Sequence, residues 1–142
     1  MEKIVVGVDG SAGSRAALRW AWDEAKAHGA ALEIVVAWQF PITTSLPAFG
    51  SMPTPDDLEV EARDAMLAIV TEEGITPGAG VVVTTLVAEG TAAQALLGAA
   101  ANADLLVVGS RGHGGFTGLL VGSVSQQCVS HSTVPVVVVH PA

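Results

Sequence analysis

Five short apolar runs, rich in β-branched residues, recur along the chain with amphipathic stretches between them. They are KIVVGV (3–8), ALEIVVAW (31–38), the run within GVVVTTLVAEG (80–90), DLLVVG (104–109) and the closing VPVVVVHPA. These runs do not alternate cleanly between apolar and polar. That pattern predicts strands covered on both faces. Between them, SRAALRWAWDEAKAHG (14–29) repeats apolar positions at helical spacing through Ala17, Trp20 or Ala21, and Ala25. Gly29 is placed as its stop. A second helix is predicted from Thr54 to Gly74, with Thr54 as cap, Pro55 in the first helical position, and Asp56 and Asp57 at the positive end of the dipole. TAAQALLGAAANA predicts a third helix capped by Thr91, and a fourth runs from about Ser123 to His131.

The predicted order is therefore β-α-β-α-β-α-β-α-β. Strict alternation with doubly apolar strands means an α/β fold, a single domain with an open five-stranded parallel sheet and helices on both faces. In such sheets ligands bind beyond the carboxyl ends of the strands, where strand order reverses. The loops to inspect are DGS after the first strand, AWQFP after the second, AEGT after the third and GSRGHGG after the fourth. The proline-rich stretch 39–55 is too irregular for a helix or strand, and its length suggests a functional loop.

Composition narrows the choices. The chain has 142 residues, half of them hydrophobic, with a formal net charge of −8. That length suits one domain with a real core. The acidic balance argues against nucleic-acid binding through a broad basic face. No apolar run is long enough to span a bilayer, and the N-terminus lacks the shape of a signal peptide, so a cytoplasmic location is expected. The single cysteine, Cys128, excludes an internal disulfide and fits a small core residue. After Arg63 the only Lys or Arg is Arg111, which sits in the stretch GSRGHGGFTGLLVGS (109–123).

That stretch carries six glycines in fifteen residues, between a predicted strand and a predicted helix. So much glycine is costly to order. Gly109, Gly112, Gly122 and Ser123 have the spacing G-x-x-G, nine residues, G-S. Gly112 lets a backbone N–H approach an anion, and Gly122 opens the start of the fourth helix, where unpaired N–H groups favour negative charge. Ser123 and Ser125 hydroxyls could add hydrogen bonds and Arg111 could add charge. The standard phosphate-loop pattern is absent. The alternative reading is a flexible glycine-rich connector with a serine cap.

Two roles fit Asp9 equally: a turn and cap residue, or an acceptor for the base or sugar end of a ligand. Ser11 reads as a cap rather than a nucleophile, and Glu89 as a solvated turn residue. His28, His131 and His140 show no metal or triad spacing. His113 lies in the glycine loop and either contacts an anion or is solvated. The apolar final strand needs an interior place or a covered edge, and its position suggests pairing with a second copy.

Over essentially its full length the chain resembles the universal stress protein family. The resemblance rests on VVGVDGS, on AEGTAAQALLGAAANADLLVVGSRG, on GSVSQQCVSHSTVPVVVV and on the Gly109, Gly112, Gly122, Ser123 spacing, which resembles the signature of the ATP-binding branch. It implies an adenine-nucleotide alpha-hydrolase-like sheet of order 3-2-1-4-5, with the switch point between strands one and four. It also implies Asp9 and the backbone of Ala37 at the adenine and ribose end. Gly109, Gly112, Gly122 and Ser123 would hold phosphates and ribose, with Arg111, His113, Val124 and Ser125 beside them. At Ala37, VVAW departs from the more typical His-Val, a change a backbone contact would survive. The implied ligand is ATP, with any Mg²⁺ carried by its phosphates, and the implied assembly is a homodimer through Val134–His140. No dedicated base for hydrolysis is visible, so the expected function is a nucleotide-dependent stress regulator rather than an enzyme. A dimeric interaction module that needs no nucleotide and a slow nucleotide-hydrolysing enzyme are the alternatives.

Overall fold

A computed structural model describes residues 1–39, 54–78, 80–111 and 122–141. In chain order the elements are β1 (Lys3–Gly7), α1 (Ala12–His28), β2 (Ala31–Trp38), α2 (Pro55–Glu72), β3 (Val83–Glu89), α3 (Ala92–Ala100), β4 (Leu105–Gly109), α4 (Ser123–His131) and β5 (Val136–Val139). All four strand pairings are parallel, and the sheet order is β3-β2-β1-β4-β5. The expected fold class and order are both observed.

The doubly apolar strands divide their side chains between two layers. Ile4, Val6, Leu32, Ile34 and Val107 face α1 and α2 and pack with Leu18, Trp22 and Met66. Val5, Val35, Leu106 and Val108 face α3 and α4 and pack with Leu96, Ala100 and Cys128. Burial pushes the Cys128 thiol up from its ordinary value, in keeping with a packing role. The apolar stripe of α1 runs through Ala17, Ala21 and Ala25, with Trp22 beside it, while Trp20 is only partly buried.

Local signals set the helix ends. Ser11 accepts from Ser14 N–H at the start of α1, two residues earlier than the periodicity suggested. Thr54 and Thr91 form capping boxes with Asp57 and Gln94. Gly29 ends α1 at φ 65°, a left-handed geometry that glycine adopts without a Cβ penalty. The third strand lies within 80–90 as expected and begins at Val83; Val81 is buried just before it and Val82 is exposed.

Two polar clusters fasten the layers. Arg15 reaches Glu72 at 2.8 Å and Glu73 at 3.3 Å, and Arg19 reaches Glu73 at 2.7 Å, tying α1 to the end of α2. The Arg19 guanidinium, with Arg15 beside it, holds the Glu73 carboxyl below its ordinary range. At the other end of the sheet, Asp104 Oδ2 accepts the N–H groups of Glu2 at 2.8 Å and Lys3 at 3.0 Å, clamping the start of β1 beside β4.

The last strand is an edge. Leu106 N–H donates to Pro135 C=O, and Ser110 N–H donates to Val139 C=O. Alternate residues of a parallel strand face the same neighbour. Pro135, Val137 and Val139 thus turn their peptide groups to β4, and Val136 and Val138 turn theirs outward.

Candidate functional site

The chain leaves β1 toward α1 on one face and reaches β4 from α3 on the other. This makes β1 and β4 the neighbours at which strand order reverses, and a cleft opens at their carboxyl ends. Its wall is apolar, with Val35, Ala37, Ala92, Leu96, Val108 and Val124 contributing. Asp9, Ser11, Ser14 and Arg111 supply its polar groups, and Gly7 and Gly109 complete it. A Cβ on Gly7 would lie 2.8 Å from Leu96 Cδ1, so a bare position on β1 lets Leu96 close the floor.

The turn after β1 is bound to itself. Asp9 Oδ1 accepts from the N–H and Oγ of Ser11. Asp9 N–H donates to Ser14 Oγ at 3.1 Å, and Ser14 Oγ donates to Ser11 C=O at 3.1 Å. Asp9 therefore serves the turn and also lines the cleft, so its two readings are not exclusive. Ser11 is the cap that the sequence suggested.

At the end of β2 the register opens a peptide. Ala31 N–H donates to Glu2 C=O and Val8 N–H donates to Val35 C=O, whereas Leu32 N–H donates to Val82 C=O and Gly90 N–H donates to Trp38 C=O. Odd residues of β2 thus face β1 and even residues face β3. β2 outruns β1 by the length that carries Ala37. The N–H and C=O of Ala37 point past the end of β1, and no backbone hydrogen bond among the described residues reaches them. A donor and an acceptor side by side on a cleft wall can read the edge of a flat heterocycle.

At the other end, α4 begins without help. Ser11, Thr54 and Thr91 cap α1, α2 and α3, but Gly122 offers α4 no side-chain cap. Its N-terminal N–H groups and its dipole suit an anion. Gly122 has φ −73° and ψ 168°, an extended conformation open to any residue, so what its glycine contributes is the missing side chain. Val124, in the first turn, lines the cleft, and Ser123 is exposed.

Charge points the same way. Among the described residues, Lys3, Arg15, Arg19, Lys26 and Arg63 are each paired with a carboxylate. Arg111 has no such pair there, and it lines the cleft.

Two residues of the glycine-rich stretch have structural roles of their own. Ser125 is buried; its hydroxyl lies 3.2 Å from Ser110 C=O and 3.0 Å from Gly122 C=O, and donates to that pair of carbonyls rather than toward a ligand. Gly109 owes its glycine to packing: a Cβ there would fall 2.6 Å from the backbone carbon of Gly13. It lines the cleft, but as floor. Gly112 and His113, and residues 40–53 of the proline-rich stretch, lie outside the described residues. Gly7, Ser14, Ala92 and Leu96 were missed, as was Gly13. A glycine at the second position of a helix is unfavourable by propensity, and that was the available signal for Gly13.

Known proteins resemble this chain in sequence and in fold. The profile described as the universal stress protein family matches residues 1–140. A universal stress protein of Mycolicibacterium smegmatis is 37% identical over 144 residues, covering 96% of this chain and 47% of the relative. The chain thus spans about half the length of the curated relatives it matches. UspA from Lactobacillus plantarum superimposes with a TM-score of 0.74 at 23% identity, over 97% of each chain. A universal stress protein solved in complex with cAMP gives a TM-score of 0.68 at 27% identity, over 99% of this chain and 98% of that one.

Proposed function

Because this chain belongs to the universal stress protein family, we propose that its cleft binds an adenine nucleotide, ATP in the fullest form, and that the bound state makes it a nucleotide-dependent regulator in the stress response. The observation that carries this reading is the coincidence, in one cleft, of the uncapped start of α4 with Arg111, which has no carboxylate pair among the described residues. Both features favour negative charge, and the cleft's opposite wall is apolar and carries the open Ala37 peptide. One end suits phosphate and the other suits a base. Adenine presents an acceptor at N1 beside a donor at N6, which complements the N–H and C=O of Ala37. Guanine presents the reverse order along that edge. The cAMP complex of the related protein supports the same ligand class.

When bound, the nucleotide supplies the phosphate charge; the chain's own groups bind and orient it. Mg²⁺, where present, is carried chiefly by the phosphates. We read the site as one that holds a nucleotide rather than turning it over rapidly. Asp9 Oδ1, Ser11 and Ser14 are engaged in holding the turn, which leaves them poorly placed to activate a water. The working unit is a homodimer through the outward edge of β5. The proposed location is the cytoplasm; among the described residues no helix is long and apolar enough to cross a membrane.

The test starts with purified protein, denatured to identify any released nucleotide. Thermal shifts with ATP, AMP and cyclic AMP follow, with and without Mg²⁺. A ligand at a hundred times its Kd should stabilise the fold by about 2.7 kcal/mol. No shift with any adenine nucleotide overturns the reading. Gly122→Asp is the diagnostic variant: it places a carboxylate cap where the phosphates belong. Circular dichroism should show that it folds, while the ATP shift is abolished.

A further inference from the structure

Gly13 occupies the first turn of α1 and is buried. A Cβ built on it would fall 2.7 Å from the carbonyl oxygen of Arg111. On the same contact, a Cβ on Gly109 would fall 2.6 Å from the Gly13 carbon and 2.8 Å from both the Gly13 oxygen and the Ser14 nitrogen. Every one of these neighbours is backbone, so no flexible side chain can swing aside. Ser11 Oγ lies 3.5 Å from the same Arg111 oxygen. The peptide of Arg111 is thus seated directly on the first turn of α1, and two bare Cα positions make that seat possible. Helix propensity by itself favours Ala over Gly at position 13. The local preference of the helix is overridden by the close approach.

We propose that Gly13 is a positioning residue for the phosphate end of the cleft: its missing side chain sets where the Arg111 peptide, and from it the guanidinium, stands. A methyl group at position 13 must push the Arg111 backbone outward or move the start of α1. Either displaces the cation that lines the cleft, while the Ala37 peptide on the far wall is untouched. The proposal rests on the nucleotide reading above, and it assigns Gly13 no contact with the ligand.

The experiment compares the affinities of ATP and adenosine for the whole chain, Gly13→Ala, Arg111→Gln and the double variant, with circular dichroism to confirm folding. The native chain should prefer ATP to adenosine. Gly13→Ala should weaken ATP roughly tenfold, the loss expected from one misplaced charged hydrogen bond, and leave adenosine unchanged. In the Arg111→Gln background Gly13→Ala should cost ATP nothing further. A Gly13→Ala chain that loses ATP and adenosine equally, or that loses ATP to the same extent without Arg111, overturns the proposal. So does one that binds ATP as the native chain does. A native chain that binds neither compound instead overturns the nucleotide reading, and the proposal falls with it. If Gly13→Ala does not fold, amide NMR of the native chain decides: ATP must shift the Gly13 N–H more than adenosine does, and equal shifts overturn the proposal.

Discussion

The hydroxyl of Ser125 lies 3.2 Å from the carbonyl oxygen of Ser110 and donates toward it across the glycine-rich connection between β4 and α4. Gly122 N–H donates to that same oxygen, so the two ends of the connection are stapled together. Ser125→Ala should therefore lower stability by about 1 kcal/mol, the usual net value of one hydrogen bond, and should leave ATP affinity nearly unchanged. Ser110 offers the contrast. Among the described residues its buried Oγ has no hydrogen-bond partner, so Ser110→Ala should be neutral or slightly stabilising. Chemical denaturation of both variants checks the pair.

Ala37→Pro removes the one N–H on β2 that faces the cleft. That group makes no ladder bond, and proline is tolerated where a strand's N–H is unpaired. The sheet should survive, by circular dichroism, while ATP and adenosine both lose at least about tenfold in affinity. Ala37→Ser keeps the peptide and should bind both compounds as the native chain does.

Asp104 sets an acid dependence. The N–H groups of Glu2 and then Lys3 hold its carboxyl below the ordinary range. A depressed carboxyl stabilises the fold fully above its unfolded pKa, about 4, and that contribution is lost as pH falls through the folded value. Asp104→Asn should flatten the fall in melting temperature below about pH 4 and be less stable than the native chain at neutral pH. A native profile with the same acid slope as Asp104→Asn would show that the clamp on β1 is not ionisation-dependent.

Val138 tests the edge of the sheet. Its peptide groups face outward from β5, so Val138→Pro spares the bonds to β4 and removes a donor that a second copy would use. Light scattering after size exclusion should show a dimer for the native chain and a monomer for Val138→Pro. A native monomer, or a dimer unaffected by the proline, rules out assembly through this edge.

Much of the fold was readable because its causes are local. Apolar runs with no alternation demanded a sheet covered on both sides. Ser11, Thr54, Thr91 and Gly29 announced helix ends through side-chain and backbone preferences that act within a few residues. The strand order came with the family resemblance, not from periodicity, and the sheet has that order.

The site divides in the same way. The sequence by itself determined which loops border the cleft and that Arg111 is the only permanent cation after Arg63. Tertiary structure alone decided what each loop residue does there. Gly109 and Gly13 are glycine because two backbones cross at close range. Ser125 turns inward because both carbonyls it serves are brought over it. The peptide of Ala37 is open because β2 outlasts β1, which is a matter of register between strands separated by a helix. Approach, direction and register are relations between distant segments, and no window along the chain contains them.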